Sequence, residues 1–199
     1  MTSRLLTLGT ALLAAAAVGA CTDPTRLRAR YDTLQDTLVA FAMTRTAAAY
    51  PSALLTAAQQ DADPSGEPVV VRIGGAIPFD VAFDIDATDN AVIYPLRLVL
   101  SDFGGQRRVG LQRADTPFDA VLRAPGSGYF YDSAMVARPG EVVLIEAQQA
   151  PYCAQDVLRT IYAKLVVDSV NSAARTVHFR VGLDPNCGFR SFAPGIPND

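Results

Sequence analysis

A single histidine, His178, and a scatter of carboxylates are what this chain of 199 residues offers to acid–base chemistry. A hydrolase triad needs its histidine beside a nucleophilic serine and an orienting acid. His178 instead alternates with Val177 and Phe179 in a strand-like run, at an outward position whose nearest neighbour on that face is Arg180. No Gly-x-Ser-x-Gly elbow, His-Glu-x-x-His pair, phosphate-cradling loop or dinucleotide fingerprint occurs. Carboxylate pairs catalyse without histidine, and Asp80, Asp84, Glu141 and Glu146 are present, but no spacing selects two of them. The expectation is a non-catalytic chain that needs no cofactor.

Two stretches carry residue types suited to binding. The run Asp84-Ile85-Asp86-Ala87-Thr88-Asp89-Asn90 sets carboxylates at Asp84, Asp86 and Asp89, hard oxygen ligands of the kind calcium takes. A dedicated calcium loop has Gly at its sixth place and a bidentate Glu at its twelfth, where this chain has Asp89 and Pro95. The plainer reading is a hairpin turn with solvated acids. Gly126-Ser127-Gly128-Tyr129-Phe130-Tyr131 is the densest aromatic cluster, flanked by glycines that would expose rings for stacking on a sugar or partner. Tyr129 and Tyr131, with Arg107 and Arg108, are the candidate ligand-binding residues; Arg107 and Arg108 with Arg113 and Arg123 could meet an acidic headgroup or glycan, the plainer reading being a solvated face. The chain has no Trp, the best stacking face for sugars, and the alternative is a short edge strand with Phe130 inward and the tyrosines at its rim. A formal net charge of −3 gives a nucleic-acid partner no electrostatic support.

The three cysteines are the most informative residues. Arg4 opens the chain with positive charge, Leu5 to Ala17 is an uncharged Leu/Ala run, and Val18-Gly19-Ala20 supplies small residues ahead of Cys21. The run is shorter than the ~20 apolar residues that span a bilayer. Val18-Gly19-Ala20-Cys21 resembles the lipobox of bacterial lipoproteins, and the resemblance covers the first 21 residues. It implies that residues 1–20 are a removed leader and that Cys21 is lipidated, anchoring residues 21–35 as a tether. Two or more acyl chains make such attachment lasting. The resemblance further implies the cell envelope. Thr22 stands where inner-membrane retention places an Asp, so the outer membrane is indicated if the source has one. With Cys21 lipidated, Cys153 and Cys187 form an even pair in an oxidising compartment, and a disulfide between them is expected. Two cysteines without nearby histidines do not complete a zinc shell.

The remaining chain, residues 36–199, must position these groups, and its pattern is that of one all-β domain. Residues 31–50 mix helical spacing with β-branched residues, and a strand is favoured over 36–44. Ala53 to Gln60 suggests a short helical turn and Asp61 to Pro68 a loop. Val69 to Ile73 is a short strand. Phe79, Val81, Phe83 and Ile85 alternate with Asp80, Ala82, Asp84 and Asp86, which predicts a half-buried strand with an acidic outer face. A returning strand from Val92 to Leu100 is interrupted by Pro95. Further strands are predicted at Arg107–Arg113, Phe118–Leu122, Gly128–Tyr131, Val142–Ala147, Ile161–Val167 and Val177–Leu183. Val142–Ala147, apolar on both faces, reads as central. The fold expected is an antiparallel β-sandwich or barrel-like domain of about seven to nine strands with little helix. Beyond the lipobox, the body resembles the small β-rich domains of bacterial envelope lipoproteins, which implies a structural or protein-interaction module. A glycan, small-molecule or calcium-binding lipoprotein is the alternative.

Overall fold

A computed structural model describes residues 28–60, 63–76, 78–100 and 107–197. Ten strands form two five-stranded antiparallel sheets. The first takes the order β1 (Leu34–Phe41), β10 (Thr176–Asp184), β9 (Thr160–Asn171), β8 (Val142–Gln148), β6 (Arg108–Ala114). The second takes β3 (Asp63–Val71), β2 (Ala53–Gln60), β4 (Val81–Ile85), β5 (Ala91–Pro95), β7 (Met135–Ala137). The all-β expectation holds, and the sheets pack face to face as a sandwich. Cys21 and its leader lie outside the described residues. Among the described residues no helix is long and apolar enough to cross a membrane.

Alternation supplies the core. Val143, Ile145 and Ala147 of β8 lie beside Ala163 and Leu165 of β9 and Phe179 and Val181 of β10 on one face of the first sheet, in a buried cluster that also takes in Leu54, Val81, Phe83 and Ile93 of the second sheet. Phe83 and Phe179 stack with ring centroids 4.7 Å apart. Fully burying a side chain of this size is worth about 1.5–3 kcal/mol. These strands are legible because their inward residues are large and recur every second position.

Several local expectations fail, each for a tertiary reason. Ala53–Gln60 is strand β2, not a helical turn: small side chains suit a pleat held between β3 and β4, and pairing overrides the helix preference of alanine. Residues 63–68 continue β3, where Pro64 and Pro68 are tolerated because β3 is an edge. The strand after Ala91 stops at Pro95 and passes into a helical turn, α1 (Leu96–Val99), which buries Leu96. Phe118–Ala120 is a single 3-10 turn, and Phe130 makes only an isolated bridge to Leu111. The three-residue β7 was not anticipated.

The larger departure is a third layer. On the outer face of the first sheet, Val142 and Leu144 of β8 and Tyr162 and Val166 of β9 form a second buried cluster with Phe118, Val121, Ala124, Tyr129 and Phe192. The cover comes from two coil segments, a strap over residues 115–134 and the tail over 188–197. They are joined by backbone bonds from Ala124 to Arg190 (2.8 Å) and from Phe192 to Leu122 (2.8 Å). The double-sided apolar character of Val142–Ala147 thus has two causes, the sandwich core within and the strap without.

Candidate functional site

The residues picked for chemistry fall into three places. The supposed acidic outer face is buried and neutralised. Asp80, 1% exposed, accepts from the backbone and hydroxyl of Thr56 (2.8 and 2.7 Å) and forms an ion pair with Arg107. Asp84 accepts from Arg175 (2.8 Å), from the Thr44 hydroxyl (2.9 Å) and from the Ile85 amide (2.8 Å). Arg175 lies in the β9–β10 turn, so this pair ties the two sheets together at one end of the sandwich. A buried carboxylate must be paired or heavily hydrogen-bonded to stay ionised, and both aspartates are.

Asp86 closes the β4–β5 turn, accepting from the amides of Thr88 (2.8 Å) and Asn90 (2.9 Å). These bonds, the Asn90 amide foremost, hold its carboxyl below the usual range. Asp89, at φ 62°, accepts from the Ser172 hydroxyl (2.5 Å). Asp84, Asp86 and Asp89 therefore each serve a different contact and are not gathered around one point. Among the described residues the one grouping with metal-ligating spacing is Cys153, Asp156 and Cys187, and its two sulfurs are already joined as a disulfide closing a sequence separation of 34 residues.

The ligand-binding candidates are split by the pleat. Arg107 turns inward to Asp80, with its Nε and Nη1 finding no hydrogen-bond partner among the described residues. Arg108 turns outward and lies over the Tyr131 ring, 4.2 Å from its centroid. Tyr131 donates its hydroxyl to Glu146, which also receives Tyr162 (3.0 Å) and Gln148 Nε2 (3.0 Å). Glu146, 5% exposed, is thus satisfied by two phenols and an amide, with no cation in direct contact among the described residues. Burial first, and then Glu146, pushes the phenols of Tyr131 and Tyr162 up to about 12. The same causes raise Tyr129 further, although its hydroxyl meets only the Pro125 carbonyl (3.3 Å). The cluster is built inside out relative to expectation: Tyr129 is buried and Phe130 is 63% exposed. Strap and sheet approach closely at Gly110, where a Cβ would come within 2.7 Å of Tyr129 and 2.8 Å of Tyr131.

Lys164, the one lysine, was not anticipated as a site residue. It is 1% exposed at an outward position of β9, and Nζ donates to the carbonyls of Phe118 (2.8 Å) and Val121 (3.0 Å) beneath the strap. Its ammonium lies 4.4 Å from the Phe118 ring centroid. Burial pulls its pKa below the ordinary lysine range, partly countered by Asp119. The unpaired-looking place of Lys164 in an otherwise apolar strand was the available signal.

An open groove of about 590 Å³ lies beside this lysine, between β6 and the strap. Gln112, Leu144 and Ala114 contribute from the sheet, Ala120 to Pro125 from the strap, and Arg190 from the tail. Arg113, Arg123 and Arg190 line it against one acid, Asp115. Arg113 is held by Glu141 at 2.6 Å. Arg190 makes no salt bridge among the described residues, and the buried Oε1 of Gln112 finds no hydrogen-bond partner there. Arg190 thus brings positive charge to a concave surface that Arg107, Arg108 and Tyr131 do not line. A scan against protein-family models finds no match to this chain, and searches of curated proteins and of solved structures find none either.

Proposed function

We propose that this protein is a lipid-anchored, non-catalytic interaction module of the cell envelope that binds an acidic segment of a protein partner in the groove between β6 and the strap. The observation that carries the reading is the groove itself, lined by Arg190, which forms no salt bridge among the described residues, while Arg113 beside it is held by Glu141. Sites for small molecules usually enclose most of the ligand surface. This groove is shallow and open, which suits an extended segment whose carboxylates meet the guanidinium groups in bidentate fashion.

The test is a photo-crosslinking residue at Leu122, a groove-lining position that is 54% exposed, in intact cells. A crosslinked envelope protein is expected, weakened by Arg190→Gln in a variant whose melting temperature is unchanged. No product above that from a crosslinker at Val39, on the far edge strand, would sink the groove reading.

A further inference from the structure

We infer that the end of the sandwich from which the tether emerges rests on the lipid bilayer, with Val157, Leu158 and Ile196 as its apolar contact. The inference depends on the anchor at Cys21 and adds to it an orientation and a surface. The chain enters the body at a defined place. The amides of Arg30 and Tyr31 donate to Asn186 Oδ1 (2.5 and 3.0 Å), and Asn186 Nδ2 donates back to the Tyr31 carbonyl (2.8 Å). Two residues on, Thr33 bonds to the Gly195 and Ala193 carbonyls (3.3 and 2.8 Å).

Those partners belong to the same end as the disulfide. Cys187 follows Asn186 and is bridged to Cys153, and the Gly188 amide donates to the Thr160 carbonyl (2.8 Å). Leu158 packs so closely on Gly188 that a Cβ there would fall 2.3 Å from its side chain. The loop carrying Val157 and Leu158 is thereby stapled beside the chain entrance, and Ile196 sits next to the Gly195 that holds Thr33. Yet Val157 is 88% exposed, Leu158 42% and Ile196 53%. Three large aliphatic side chains are thus held out to solvent on one cross-linked end, where a facing apolar surface would cover them. Around them Arg28, Arg30 and Arg159 are exposed alongside Asp32 and Asp156, so the surrounding charge is close to balanced and the apolar side chains carry the contact.

The tether decides the occupant. Seven residue steps separate Cys21 from Arg28, a reach of at most about 25 Å when fully extended. A lipidated Cys21 lies at the membrane surface, so the entrance cannot be farther from that surface than this. Confinement so close makes even a small apolar contact with the bilayer effectively intramolecular. No comparable constraint brings a protein partner or a second copy to this end.

The chain has no Trp, so a single substitution supplies the only indole. Val157→Trp, Ile196→Trp and, near the opposite end, Val136→Trp would be made in the full chain. Each would be expressed with palmitate label and reconstituted in vesicles of phosphatidylethanolamine and phosphatidylglycerol with brominated acyl chains. The expected result is at least a twofold loss of emission from positions 157 and 196 relative to unbrominated vesicles, with position 136 unchanged. Label at Cys21 without quenching at 157 overturns the docking and leaves the anchor standing. Emission changes at 157 that follow protein concentration and ignore bromination assign the patch to self-association and also overturn it. Absence of label at Cys21 overturns the anchor and, with it, the docking.

Discussion

Glu146 is the residue whose surroundings most constrain the outer face of the first sheet. It is buried, and its partners are donors that are themselves titratable, Tyr131 and Tyr162. The folded state raises both phenols, by burial first and by Glu146 second, to about 12 from an ordinary value near 10. A raised folded-state pKa means that the folded protein keeps protons the unfolded chain gives up. The stability associated with these groups is therefore whole below pH 10 and is lost as pH climbs towards 12, and Tyr129 acts in the same direction. Lys164 acts oppositely: its lowered pKa penalises the folded state while it is charged, and the penalty fades as pH rises to 10.5. Three tyrosines outweigh one lysine, so alkaline unfolding should begin near pH 10. Phenolate absorbance and circular dichroism should change together. Tyr131→Phe with Tyr162→Phe should move the onset upward while lowering stability at pH 7, because Glu146 keeps only the Gln148 amide as a donor. Phenolate signals that appear fully before the fold is lost would contradict the assignment.

At the level of elements, the strap over residues 115–134 is the part whose stability is separable from the sandwich. Besides the Phe130–Leu111 bridge and the Tyr131–Glu146 bond, Lys164 ties strap to sheet, with two strap carbonyls on one ammonium. Gly182 opposite keeps the space open, since a Cβ there would come within 2.9 Å of the lysine side chain. Lys164→Met preserves length and roughly the volume but leaves both carbonyls without a donor, a loss of about 1–3 kcal/mol. Hydrogen exchange should show the loss first in the strap amides, with β8, β9 and β10 still protected. Equal loss across strap and sheets would mean that the strap is not a separate unit. The same element explains what could be read beforehand. Period-two alternation revealed β4, β9 and β10, and a run apolar on both faces revealed β8, because those strands bury large residues. It could not reveal that the outward positions of β8 and β9 would be covered, since strap residues such as Ala124 and Gly128 carry no period of their own. Asp80 and Asp84 looked solvated for a related reason: their partners Arg107 and Arg175 are remote in sequence. The groove was invisible because its walls come from β6, the strap and the tail.

For the whole molecule, the decisive feature is the asymmetry between the two ends of the sandwich. One end is closed by polar turns, with Asp84–Arg175 and Asp89–Ser172 clamping sheet to sheet. The other gathers the chain entrance, the tail and the Cys153–Cys187 bridge. In the chain-entropy account, a bridge spanning 34 residues is worth about 3–4 kcal/mol. Its position gives it a second role, because it braces the loop that presents Val157 and Leu158. Cys153→Ala with Cys187→Ala should therefore have two separable effects. Global stability in urea should fall by about 3–4 kcal/mol at pH 7. Limited proteolysis should cut first after Arg159, an exposed arginine within the unbraced loop. A double variant that loses stability but keeps residues 154–159 resistant would restrict the bridge to an entropic role. Cys153 is a buried member of the core cluster, but the greater part of that cluster lies between the sheets around Phe83 and Phe179. The reduced protein should consequently retain its far-ultraviolet dichroism at 25 °C, while the tether end alone loosens.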